Sequence, residues 1–159
     1  MPTTTSAEPR WLDASQQHAW RSFLRGTARL MDDLNHDLEQ SAGLSLSEYE
    51  VLVRLSEVEG RTLRMSVLAD ELVHSRSRLT HTVRRMEEAG LVERSACADD
   101  RRGVNATLTD AGYARLVAAA PGHVASVRAR LVDRLSDAQM RELGEIMSVL
   151  VRDDDEPDA

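Results

Sequence analysis

Apolar residues in this chain recur mostly at helical steps, with one short stretch of alternation. From Leu12 onward, Trp20, Phe23, Leu24, Thr27, Leu30, Met31, Leu34 and Leu38 fall three or four residues apart. That spacing predicts a long first helix, stopped at Gly43. Ser47-Glu48-Tyr49-Glu50 has the spacing of a capping box, and Tyr49, Leu52, Val53 and Leu55 continue as a second helix to about Glu59-Gly60. Residues 61–65 suit a short strand. Ser66 is a candidate N-cap for a third helix carrying Val67, Leu68, Ala69 and Leu72. After Val73-His74-Ser75 a new period begins with Leu79, Val83 and Met86, and Gly90 ends it. Two short helices joined by about three residues have the spacing of a helix-turn-helix.

The alternation follows at once. Residues 91–95 and 104–108 read as two strands, and residues 97–103 between them read as a turn. The expected product is a β-hairpin with a charged tip. Thr109-Asp110 then starts another helix, with Leu116, Val117, Val124, Val127, Leu131 and Leu135 along its stripe and a kink expected at Pro121-Gly122. Ser136-Asp137-Ala138-Gln139 is a second capping box, opening a last helix with Met140, Leu143, Ile146, Met147 and Leu150. The fold class expected is mostly α with a small β-wing: a winged helix-turn-helix flanked by helices at both ends.

Composition narrows the class. The 159 residues hold two Trp, two Tyr and one Phe, so the core must be built from Leu, Val, Met and Ala, which favours helix packing. The 20 basic residues, all Arg, stand against 27 acidic ones, a net charge of −7 that argues against indiscriminate coating of nucleic acid. Residues 74–102 differ: seven Arg against five Asp and Glu make that segment net positive by two. No apolar run reaches the ~20 residues of a membrane span, and the first residues lack a basic-then-apolar leader, so a cytoplasmic location is expected. One cysteine, Cys97, allows no internal disulfide, and His18, His36, His74, His81 and His123 are scattered without metal-ligand spacing. No cofactor or metal is expected. The chain has no glycine-rich phosphate loop, no HExxH and no nucleophile motif, so it is not read as an enzyme.

On a helical wheel with Leu79 inward, Val83 and Met86 share its face, while Ser77, His81 and Arg84 lie opposite. Arg76, Arg78, Thr80 and Arg85 flank that outer face. Arg is shaped to grip guanine O6 and N7 with two bonds, and Ser and Thr near a helix start suit phosphate oxygens. These residues are the candidate DNA contacts.

The run LADELVHSRSRLTHTVRRMEEAGLVER followed by ADDRRGVNATLTDAG resembles the MarR family of bacterial transcription regulators. The match includes its wing signature, Asp-Arg-Arg followed after five residues by Leu-Thr-x-x-Gly, and the order of helices extends it to about residues 12–152. The resemblance implies a triangular homodimer whose terminal helices interlock and whose two winged domains read successive major grooves of a pseudo-palindromic double-stranded DNA operator. Carried onto this chain, Asp100 would brace an arginine, and Arg101 and Arg102 would point at the minor groove and the backbone. The family also implies a small phenolic or carboxylate effector, bound between the dimer helices and the winged domain. Trp20, Phe23, Met31, His36 and Tyr49 are the candidates for that site.

The expected division is a disordered stretch at 1–10, one domain over 11–152 and an acidic tail at 153–159. Within the domain, the winged part spans about 46–110, and dimerisation helices span about 12–42 and 110–152. His18 and His123 are expected at the surface. Together these readings predict a homodimeric repressor without a membrane partner. Two alternatives stand beside it: a helical protein-interaction module, and a redox-responsive regulator acting through Cys97.

Overall fold

Asp13 opens the first helix, α1 (Ala14–Ala42), through a capping box. Its carboxylate accepts from the Gln16 N–H at 2.8 Å, and the Gln16 side chain accepts from the Asp13 N–H at 3.0 Å. Gly43 closes α1 in the left-handed region, φ +61°, with its N–H on the Glu39 carbonyl. The computed structural model describes residues 9–97 and 103–151, so Asp100, Arg101 and Arg102 lie outside the described residues. After α1 come α2 (Leu46–Ser56), β1 (Thr62–Arg64), α3 (Met65–Glu71), α4 (Arg76–Glu88), β2 (Val92–Ala96), β3 (Val104–Leu108), α5 (Asp110–Arg130) and α6 (Asp137–Val151).

The expected hairpin is part of a three-stranded antiparallel sheet in the order β1-β3-β2. In the registers, Val92 faces Leu108 and Arg64 faces Asn105. The core gathers Leu38, Leu52, Leu55, Leu68, Leu79, Val83, Met86, Val92, Ala106 and Leu108 from α1 to α4 and the sheet. It ties the helix-turn-helix to the wing and to one end of α1. α5 adds Leu116 and Ala119.

Thr109 joins the wing to α5. Its hydroxyl accepts from the Gly112 N–H at 3.0 Å and donates to the Gly90 carbonyl at 2.7 Å, while its own N–H reaches the Leu91 carbonyl. Gly112 sits hard against the backbone just before β2: a Cβ there would lie 2.1 Å from the Leu91 carbonyl oxygen. The Leu-Thr-x-x-Gly of the wing signature is therefore a packing device, with a cap and a glycine that lets backbone meet backbone.

Four expectations change. The cap of α2 is Ser45 with Glu48, not Ser47 with Glu50; both pairs have the right spacing, but the helix starts two residues earlier, directly after the buried Leu44. Ser66 lies inside α3, whose N-cap position is Arg64 and receives no side-chain capping bond. α5 runs unbroken through Pro121; the ring removes one backbone bond, to the carbonyl of Val117, on an exposed side where water can take it. His123 is half-buried rather than free on the surface: its Nδ1 is buried without a hydrogen-bond partner among the described residues, and its ring packs on Tyr49 with centroids 4.4 Å apart.

Candidate nucleic-acid interface

Ser75 caps α4, the second helix of the helix-turn-helix, accepting from the Arg78 N–H at 3.3 Å. Leu79, Thr82, Val83 and Met86 are buried on its inner side. Arg76, Ser77, Arg78, Thr80, His81, Arg84 and Arg85 are all exposed on the outer side, as the wheel places them. The structure then separates them by what they hold. Arg78 donates to the Ser47 hydroxyl at 2.6 Å, bringing it to the start of α2. Arg85 pairs at 2.7 Å with Glu48, whose side chain is only 9% exposed and already serves the α2 cap. Arg85 is thus an anchor between α4 and α2. Thr80 returns its hydroxyl to the Arg76 carbonyl, and Arg84 lies 3.7 Å from Glu88 one turn on. Arg76 and His81 have no side-chain partner among the described residues. Such a surface offers cations and short hydroxyls to a polyanion.

Sequence reasoning missed a second set. Arg64, Ser66 and Arg94 join Arg76, Thr80 and Gly103 around a cleft of about 400 Å³ between α4, the start of α3 and the base of the wing. Arg94 is aimed by Glu87 of α4, 2.6 Å away. Arg64 reaches this cleft only because β1 pairs with β3, a long-range register that local pattern does not reveal. Cys97 sits at the same wing base, partly buried, with its thiol donating to Asn105 Oδ1 at 2.8 Å. Its backbone N–H bonds the Gly103 carbonyl and closes the loop at its root.

The candidate effector residues divide as well. Met31 and Tyr49 line one cleft of about 370 Å³ between α1, α2 and α5, with Leu34, Leu46, Val53 and Leu72. Trp20, Phe23 and His36 do not reach it. Trp20 and Phe23 stack on each other at 6.2 Å on an uncovered stretch of α1, and His36 is exposed. Sequence missed Glu50, Arg54, Glu57 and His123 in that cleft; none belongs to an apolar stripe. Burial holds His123 below the ordinary histidine range, so its ring is neutral near pH 7. His74, in the turn before α4, is likewise pushed down by burial and then by Arg78.

Below Leu30, every described residue of α1 is exposed, and α6 buries none of its described side chains. Trp20 is 51% exposed, Ile146 53% and Leu150 60%. No helix among the described residues is long and apolar enough to cross a membrane.

A helix-turn-helix with a polar, arginine-rich recognition helix, backed by a small antiparallel wing, defines a winged helix protein. The comparisons narrow this further. The MarR family model matches residues 42–103. The structure of Sco3205, a MarR family transcriptional regulator from Streptomyces coelicolor solved in complex with DNA, is 43% identical, covers 95% of each chain and superposes with a TM-score of 0.88. AbsC, a MarR family transcriptional regulator from the same organism, is 44% identical over 89% of this chain and 95% of its own, TM-score 0.81. Sco5413, also from Streptomyces coelicolor, shares the fold at 23% identity, with 87% and 94% covered and a TM-score of 0.76. No curated protein matches the chain. The chain belongs to the MarR family and is a transcription regulator, not an enzyme.

Proposed function

We propose that this chain is a homodimeric repressor that binds a pseudo-palindromic operator and is released by a small molecule. The observation that carries the DNA reading is α4. Its apolar side is locked by Leu79, Val83 and Met86, while Arg76, Ser77, His81 and Arg84 stand clear on the other. Ser77, His81 and Arg84 read base edges in the major groove, and Arg76, Arg78 and Thr80 hold phosphates. The family resemblance assigns the wing contact to Arg101 and Arg102, with Asp100 bracing an arginine. Arg85 contributes through Glu48, by fixing the angle of α4 on α2.

The bare apolar faces of α1 and α6 support the dimer. A two-fold axis through them would cover Trp20, Phe23, Ile146 and Leu150 and set two recognition helices about 34 Å apart, one turn of DNA. The cleft behind Tyr49 is the effector site, and its apolar wall suits an aromatic body. An effector acts by preferring one spacing of the two recognition helices.

Selection of bound duplexes from a random pool at moderate salt tests the reading. An enriched two-fold motif with half-sites one turn apart is expected. Folded protein that enriches no motif, or only an asymmetric half-site, would overturn the dimeric reader.

A further inference from the structure

The effector cleft has an apolar floor and a charged rim, and the rim carries the wrong sign for an acid. Among the described residues, Arg54 is the only cation lining it. All three of its guanidinium nitrogens are engaged: Nε and Nη2 on Glu71 at 2.5 and 2.8 Å, and Nη1 beside Glu57 at 3.5 Å. Hydrogen bonding to Glu71 is the main reason the Arg54 charge is held so firmly. Glu50 and Glu57 share the rim. The group facing Glu50 is His74 Nε2 at 3.5 Å, a buried ring that burial keeps neutral. Glu50 and Glu57 against Arg54 leave the lining net negative by one, and Arg54 is already committed to Glu71. A ligand carboxylate would have to displace Glu71 from Arg54 and then sit beside two further carboxylates.

We propose that the cleft takes a small molecule with an aromatic or aliphatic body and a protonated amine, the amine lying between Glu50 and Glu57. The proposal rests on reading this cleft as the effector site, and it replaces the carboxylate effector expected from the sequence. The body packs on Met31, Leu34, Leu46, Val53 and Leu72 and on the Tyr49 ring, whose face also favours a cation. The buried, unpartnered Nδ1 of His123 offers a hydrogen bond to a polar atom on that body. The head group has a route to DNA. Glu50 is shared with His74, the residue just before the Ser75 cap of α4, so an amine that draws Glu50 competes with the turn that sets the recognition helix.

The test uses the full chain and three probes sharing a naphthalene body: naphthylmethylamine, naphthylmethanol and naphthoate, titrated by calorimetry near neutral pH. The amine is expected to bind about tenfold or more tighter than the alcohol, and the naphthoate weakest. Replacing both acids (Glu50→Gln with Glu57→Gln) should bring the amine close to the alcohol. Naphthoate binding as tightly as the amine overturns the inference, as does an amine preference that survives both substitutions; in either case the cleft still stands as a ligand site. If none of the probes binds, or if Val53→Trp, which fills the cleft, leaves binding unchanged, the effector-site reading itself fails.

Discussion

Leu55, Leu68 and Val83 are wholly covered within one chain, whereas Trp20, Ile146 and Leu150 each leave half or more of their surface open. The first group lies where helices α2 to α4 and the sheet close on each other. The second lies on the first part of α1 and on α6, which has no substantial packing partner among the described residues. One region completes its hydrophobic burial with its own chain; the other carries an equally regular apolar stripe with little among the described residues to set it against. A stripe at helical spacing therefore reports that a face will be buried, not which chain buries it.

The sharpest way to break the comparison is in the covered region. Leu68→Ala leaves a cavity under the helix-turn-helix and should cost about 2–5 kcal/mol of unfolding free energy, read by denaturant titration. A loss under ~1 kcal/mol would mean that this core relaxes and is not the rigid half of the molecule. In the open region the sign of the experiment changes. Ile146→Asp should leave the fold of the winged part unaltered by circular dichroism, yet weaken self-association on the order of a hundredfold, because it forces a carboxylate into an apolar interface. Equilibrium sedimentation that gives the same dimer for wild type and variant would remove α6 from the interface.

The two regions were also unequally legible. The inner face of α4 could be read residue by residue, since Leu79, Val83 and Met86 obey a local period and nothing distant alters it. Gly43 and Ser136 were readable for the same reason: caps are local chemistry. What stayed hidden was set by long-range packing. The choice of Ser45 over Ser47 as a cap depends on Leu44 reaching the core, and it leaves Ser47 to meet Arg78, 31 residues away. Nothing local marks His123 as half-buried: Gly122 and Val124 beside it are exposed, and Tyr49 packs on it from another helix. Trp20 and Phe23 share with Tyr49 only the scarcity of aromatics in this chain, and scarcity carries no geometry.

Two adjacent arginines sharpen the contrast within α4 itself. Arg84 stands on the outer face with only a 3.7 Å approach to Glu88, so Arg84→Ala should cost about 1–3 kcal/mol of operator affinity and relax the preference at one base position. Arg85 instead satisfies the nearly buried Glu48. Arg85→Ala should lower stability by about 1 kcal/mol and weaken all duplexes evenly, since it loosens the seat of the helix rather than a base contact. Comparing the two variants on the selected operator and on a scrambled duplex separates the roles. Equal losses of discrimination would place both arginines on the DNA.

The smallest effect lies where the covered and open regions join. Asp37 of α1 accepts from Arg130 Nε and Nη2 of α5 at 2.7 Å each and from the Ser126 hydroxyl, while Arg130 also reaches Asp33 at 2.9 Å. The Arg130 bonds, then the Ser126 bond, hold the Asp37 carboxyl far below the ordinary aspartate value of 3.8. A carboxyl depressed in the folded state stabilises it fully above that ordinary value, and the contribution is lost as pH falls toward the folded one. Asp37→Asn should therefore lower the melting midpoint slightly at neutral pH, with the gap from wild type constant down to about pH 5 and closing below about pH 4. The site is solvent-accessible, so salt should shrink the gap too. A gap indifferent to both acid and salt would mean that α1 and α5 are held by packing alone, and that the charged clamp does not couple the open helix to the covered core.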